Sequence, residues 1–148
     1  MRAVARLDVL LAHVLIDFND QVDAARSRQS GTPSLVQWAN FLRVMPDDGL
    51  APNDIALAAR VSRRAIKSRG RGGLAHTWIE AGSLAPRKPW WRLTDPGRAA
   101  REQGRQIVAA ADATWQKKVG RRQTERLRAA AEPFVASLEL ELSHYPMA

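Results

Sequence analysis

The chain has 148 residues, 45% of them apolar, with a formal net charge of +8 and no cysteine. That length suits one domain with helical extensions, and that composition belongs to a folded chain rather than a disordered one. The missing cysteines exclude disulfides, thiol catalysis and a cysteine-ligated zinc finger. No apolar run reaches the ~20 residues of a membrane span. Residues 4–18 are interrupted by Arg6, Asp8, His13 and Asp17, with no small-residue cleavage site after them. They read as neither signal peptide nor anchor, so elimination places the chain in the cytoplasm, without membrane partners.

The charge is unevenly placed. Residues 1–59 carry 5 basic and 7 acidic side chains, residues 60–105 carry 12 and 3, and residues 106–148 carry 6 and 5. A chain that needs only solubility scatters both signs, whereas one that binds a polyanion gathers one of them.

In chain order, Val4, Leu7, Leu11, Val14 and Phe18 repeat at three and four residues, which predicts a helix of about five turns ending near Arg26. Leu35, Trp38, Leu42 and Met45 predict a second helix, with Pro33 near its first turn and Pro46 ending it. Asn53 or Asp54 can cap a third short helix over 52–59, and Ser62 a fourth. Gly70–Gly73 imply a bend or break, because Leu74, Trp78 and Ala81 continue a helical stripe rotated by roughly 80–100° from Ile66. Residues 84–87 and 90–93 are short strand-like runs around a Lys88-Pro89 turn, forming a hairpin that must lean on neighbouring helices. A fifth helix opens after Thr94 with Pro96 in its first turn and runs through Ile107, Ala111 and Trp115. A last helical region holds Leu127, Ala130, Phe134, Leu138 and Leu142, with Pro133 predicting a kink or restart near residue 132.

Residues 52–97 read as a unit. A short helix, a tight turn at Arg60-Val61-Ser62 and a basic helix from Arg63 have helix-turn-helix spacing, with Ala58 and Ile66 expected to hold the two helices together. Arg63, Arg64, Lys67, Ser68 and Arg71 fall within a ~140° arc at helical periodicity, with Ile66 pointing away. Placed in a major groove, that face can reach base edges, and arginine pairs bidentately with guanine. The hairpin with Arg87, Lys88 and Arg92 then forms a wing able to lie along phosphates or reach a minor groove. Trp90 and Trp91 alternate across a strand, so they cannot form one stacking platform for single-stranded nucleic acid.

The order helix, helix, Pro52–Ala59 helix, Val61-Ser62-Arg63-Arg64-Ala65-Ile66, basic hairpin and Leu93-Thr94-x-x-Gly97-Arg98 resembles the MarR family of bacterial winged helix-turn-helix regulators. The resemblance covers most of the chain. It implies a mainly helical fold with a small β-hairpin wing, and an obligate homodimer built from terminal helices. It further implies a recognition helix in the major groove, and often a small-molecule pocket near the junction of dimer and DNA-binding lobes. The sequence departs from the family pattern in its glycine-rich recognition region, its short wing and its lack of a redox cysteine.

These readings divide the chain into an N-terminal dimerisation helix (1–30), a winged helix-turn-helix (33–98) and C-terminal dimerisation helices (99–148). Leu7, Leu11, Val14 and Phe18 with Phe134, Leu138 and Leu142 are the candidate dimer contacts. Trp38, Phe41 and Trp115 are the candidate effector pocket, aromatic residues on helices otherwise lined by small aliphatics. The expected function is sequence-specific binding of double-stranded DNA by a transcriptional repressor, without a cofactor. Two alternatives stand beside it: an architectural, nucleoid-associated binder without sequence preference, and a helical metal-dependent enzyme built on His13 and Asp17. The enzyme needs two further ligands that the sequence does not supply, since His13, His76 and His144 sit on different segments.

Overall fold

A computed structural model describes residues 6–26, 32–71, 77–86 and 88–137. Its elements in order are α1 (Leu7–Arg26), α2 (Leu35–Asn40), a 3-10 turn (Leu42–Val44), α3 (Pro52–Ala59), α4 (Arg63–Arg71), β1 (Ile79–Ala85), β2 (Lys88–Leu93), α5 (Asp95–Val119) and α6 (Arg121–Ser137). This is the mainly helical winged-helix architecture that the sequence predicts, with corrections in detail.

The second helix is shorter than its apolar spacing suggests. Ser34 opens α2 with a capping box, its hydroxyl accepting the Gln37 amide at 3.2 Å while the Gln37 side chain accepts the Ser34 N–H at 2.8 Å. Phe41 then leaves helical geometry (φ −146°, ψ −70°) and turns its ring into the core, where it meets Trp91 edge-on at 6.5 Å. Tertiary packing wins over local periodicity here, and the chain resumes only as the 3-10 turn.

Pro52 occupies the first turn of α3, where its missing N–H removes nothing from the helix. Ala51 is the N-cap, so Asn53 and Asp54 lie inside the first turn rather than capping it. Arg60 closes α3 in the left-handed conformation (φ 55°), its amide returning to Leu57 and that of Val61 to Ala56. Ala58 is exposed, and the α3–α4 contact rests instead on Ile55, Ala56, Ala59 and Ile66. Three alanines in four positions leave the inward phase of this helix illegible from sequence.

The wing is longer than predicted and starts earlier. β1 and β2 pair antiparallel with Ile79 opposite Leu93, Glu80 opposite Arg92, Ala81 opposite Trp91 and Gly82 opposite Trp90, with a bulge between Ser83 and Ala85. Ala81, expected on a helical stripe, is therefore a strand residue, and Lys88 and Pro89 belong to β2 rather than to the turn. Proline is tolerated near the start of such an edge strand. Leu50 adds an isolated β-bridge at the edge of β2, exchanging hydrogen bonds with Trp91 at 2.9 and 3.0 Å. The interval 72–76 lies outside the described residues, and with it the Gly72–Gly73 bend.

α5 ties the lobes together. Thr94 caps it by accepting the Gly97 amide at 3.1 Å, and donates its own hydroxyl to the Thr77 carbonyl at 2.6 Å. A Cβ at Gly97 would strike the backbone carbonyl of Trp78, which gives the Leu93-Thr94-x-x-Gly97 motif its physical reason. A Cβ at Gly104 would strike the Trp38 indole, which lies against α5 and donates its ring N–H to the Arg101 carbonyl at 3.0 Å. The main core gathers Trp38, Phe41, Leu42, Met45, Ile55, Ile66, Trp78 and Leu93 around this seam. A second cluster joins Val22 of α1 to Ile107 and Ala111 of α5.

α6 runs as one element through Pro133. The predicted restart near residue 132 does not occur, because Ala129, whose carbonyl loses its helical partner, lies on an exposed stretch open to water. Leu138 and Leu142 lie outside the described residues.

Candidate nucleic-acid interface

The basic third of the chain is built into α4 and the wing. Ser62 caps α4, its hydroxyl accepting the Ala65 amide at 3.1 Å, and Ile66 anchors the helix with no exposed surface. Ser62, Arg63, Arg64, Lys67 and Ser68 are all exposed. Among the described residues, Arg63, Arg64 and Lys67 have no carboxylate partner. They stand at the N-terminal half of a helix whose amide dipoles already favour an anion. One buried isoleucine and one cap thus hold an open cationic face. Arg71 is the last residue of α4.

The wing cations differ. Lys88 is exposed at the start of β2, and Arg87 lies outside the described residues. Arg92 is ion-paired to Glu80 across the hairpin, and its guanidinium lies 5.3 Å from the centroid of the Trp90 ring. Trp90 in turn covers Gly49 and Gly82. An open groove of about 500 Å³ runs along the base of the wing, lined by Asp47, Glu80, Arg92, Thr94, Asp95 and Arg98. Its arginines are matched: Arg92 to Glu80, Arg98 to Asp95, and the neighbouring Arg101 to Asp47. Arg101 also donates to the Met45 carbonyl at 2.6 Å, and it holds the Asp47 carboxyl below the usual carboxylate range. Sequence reasoning missed Glu80, Asp47 and Arg101, whose pairings link positions 12 and 54 residues apart.

The candidate effector aromatics do not share one site. Trp38 and Phe41 are buried in the winged-helix core. Trp115 packs edge-on against Phe18 at 5.9 Å and donates to the Asp17 carboxylate at 2.7 Å. Asp17 also takes Lys118, and these two hydrogen bonds, the lysine's first, lower its pKa. Asp17 is thereby a strut between α1 and α5. Among the described residues, no group of three His, Asp or Glu side chains gathers to hold a metal ion.

The candidate dimer residues lie open. Leu7, Leu11 and Val14 on α1 are 65%, 56% and 38% exposed, and Phe134 on α6 is 61% exposed, while Phe18 is half-buried under Trp115. No described helix is long and apolar enough to cross a membrane.

A core of small helices, a capped basic helix and a two-stranded wing define a winged helix-turn-helix. More narrowly, the fold is that of the MarR-family regulators. The MarR family protein Rv2887 of Mycobacterium tuberculosis, solved in complex with DNA, is 25% identical with a TM-score of 0.63, over 88% of this chain and 98% of that one. The same protein with salicylic acid gives 23% identity and a TM-score of 0.65, over 90% and 99%. The Staphylococcus aureus MepR–DNA complex gives 18% identity and a TM-score of 0.69, over 90% and 99%. No protein-family model matches the sequence, and comparison with curated proteins gives no match.

Proposed function

We propose that this chain is a sequence-specific, double-stranded-DNA-binding transcriptional repressor that acts as a homodimer. The observation that carries this reading is the α4 face of Arg63, Arg64, Lys67 and Ser68, exposed, free of acidic partners among the described residues and fixed by Ile66 and Ser62. The DNA complexes of Rv2887 and MepR, which share the fold, support it. α4 enters the major groove, Arg63, Arg64 and Lys67 read base edges, and the wing meets the backbone or minor groove. Residues 33–98 are the reading lobe. The open apolar surface of α1 and α6 is the dimer contact, within segments 1–30 and 99–148, and it sets two half-sites about one helical turn apart.

Selection of bound duplexes from random DNA, followed by affinities on the winner and on random sequence, tests this reading. A regulator shows a gap of 10³-fold or more, the lower end of the usual range. Equal affinities point instead to an architectural binder. Rv2887 has been solved with salicylic and p-aminosalicylic acids, so small aromatic acids are the effector class to titrate. Trp38 and Trp115, on either side of the lobe junction, supply the fluorescence readout.

A further inference from the structure

Across residues 55–94 the chain holds nine lysines and arginines and a single carboxylate, Glu80. The hairpin register sets that carboxylate directly opposite Arg92. Arg92 pairs with it through both Nε and Nη2, while Trp90, two residues earlier on the same strand face, underlies the guanidinium. The indole is itself wedged over Gly49 and Gly82, so the guanidinium has a fixed seat. Both charged side chains remain nearly half exposed, so the pair faces the solvent a phosphate would approach through.

The lobe's other acids, Asp47, Asp48, Asp54 and Asp95, flank this stretch; within it, a surface that only had to attract DNA would have no use for Glu80. An exposed ion pair contributes little to stability, about 0–1 kcal/mol. Its effect on a polyanion is larger: it neutralises one wing cation and sets a negative charge beside any phosphate that would reach it.

Resting on the DNA-binding reading, we propose that Glu80 is a latch on Arg92 that suppresses sequence-independent binding through the wing. Random duplex gains little from an occupied Arg92, so discrimination is left to Arg63, Arg64 and Lys67 on α4, which have no such partner among the described residues. Glu80 is therefore a specificity-determining residue that acts through Arg92 and need not touch DNA itself.

The test compares wild type, Glu80→Gln, Arg92→Ala and the double variant on a selected and a random duplex, from 50 to 200 mM salt. The latch predicts that Glu80→Gln tightens random binding, steepens the salt slope by about one, and makes the gain roughly threefold larger at 50 than at 200 mM. The selected-to-random ratio falls. Arg92→Ala alone weakens random binding, because it leaves the Glu80 carboxylate unneutralised beside the DNA, and the double variant, which removes both charges, returns to the wild-type level. Circular dichroism and thermal melting check that Glu80→Gln keeps the fold. If wild type binds DNA but Glu80→Gln is unchanged or weaker, Glu80 only props the wing and the latch is wrong. If wild type binds no DNA at any salt, the DNA-binding reading falls and the latch falls with it.

Discussion

In the winged-helix lobe, Leu42, Ile55, Ile66 and Leu93 have no exposed surface, whereas on α1 Leu7, Leu11, Leu15 and Ile16 are each more than half exposed. The side chains are of the same kind; what differs is whether the chain supplies their neighbours. The lobe closes on itself through a Trp38–Gly104 seam and a two-stranded hairpin bridged by Leu50, so its stability is a property of one chain. The arm of α1 and α6 carries apolar surface that one chain leaves in water, where each fully buried large side chain would gain about 1.5–3 kcal/mol. One part is thus complete within a single chain, and the other leaves its apolar face uncovered, as the proposed dimer would require.

Trp38→Ala should strike the complete part hardest. It removes a buried indole, its hydrogen bond to Arg101 and the filling against Gly104, and should destabilise the lobe by about 3–5 kcal/mol in denaturant unfolding. A loss under 1 kcal/mol would mean the seam does not hold the lobe to α5.

Leu11→Asp should do the opposite, leaving the lobe folded while converting a dimer to monomer at micromolar concentration. A charge is tolerated on an exposed face and costly on one buried against a partner. Sedimentation of both proteins reads this directly. A wild-type monomer, or a variant that still dimerises, would show that α1 is not the contact.

Arg64→Ala leaves both parts intact and tests the surface between fold and function. It should cost about 1–3 kcal/mol on the selected duplex and much less on random DNA. Equal losses on the two would make α4 a phosphate clamp rather than a reader.

The smallest effect is expected at the strut between the two parts. Because the Lys118 and Trp115 hydrogen bonds lower the Asp17 pKa in the folded chain, its contribution is present above the unfolded carboxylate value of about 3.9 and is lost as pH falls through the folded value. Wild type should therefore melt above Asp17→Asn at pH 7, the gap should begin to narrow near pH 4, and the two should converge only below the folded value. A difference that did not narrow at all as pH fell below about 4 would contradict the charge-based account.

Local signals carried much of this architecture. The Ser62 cap, the α1 stripe and the Thr94–Gly97 motif act within a turn or two of chain, and all three stand where their chemistry puts them. What escaped the sequence was decided at a distance. Phe41 breaks α2 because its ring has a partner in Trp91, and Ala81 is a strand residue because Trp91 lies opposite it. The Asp47–Arg101 and Asp17–Lys118 pairs join residues 54 and 101 positions apart, with no periodicity to announce them. At the candidate interface, exposure of the α4 cations was legible from the helical arc. The occupation of Arg92 by Glu80 was not, since it depends on a register that a bulge at Ser83 shifts.

α5 has 25 residues and a length of roughly 37 Å. Its first half is clamped into the lobe by Trp38 and Arg101, and its last turns are clamped to α1 by Asp17. A rod held at both ends behaves as a gear arm. A change of about 5° in the angle at which two such rods cross would carry its far end roughly 3 Å, close to the 3.4 Å step between base pairs. In the proposed homodimer, half-site spacing would then be an angular quantity, adjustable by anything that wedges or relaxes the arm without touching a residue that meets DNA.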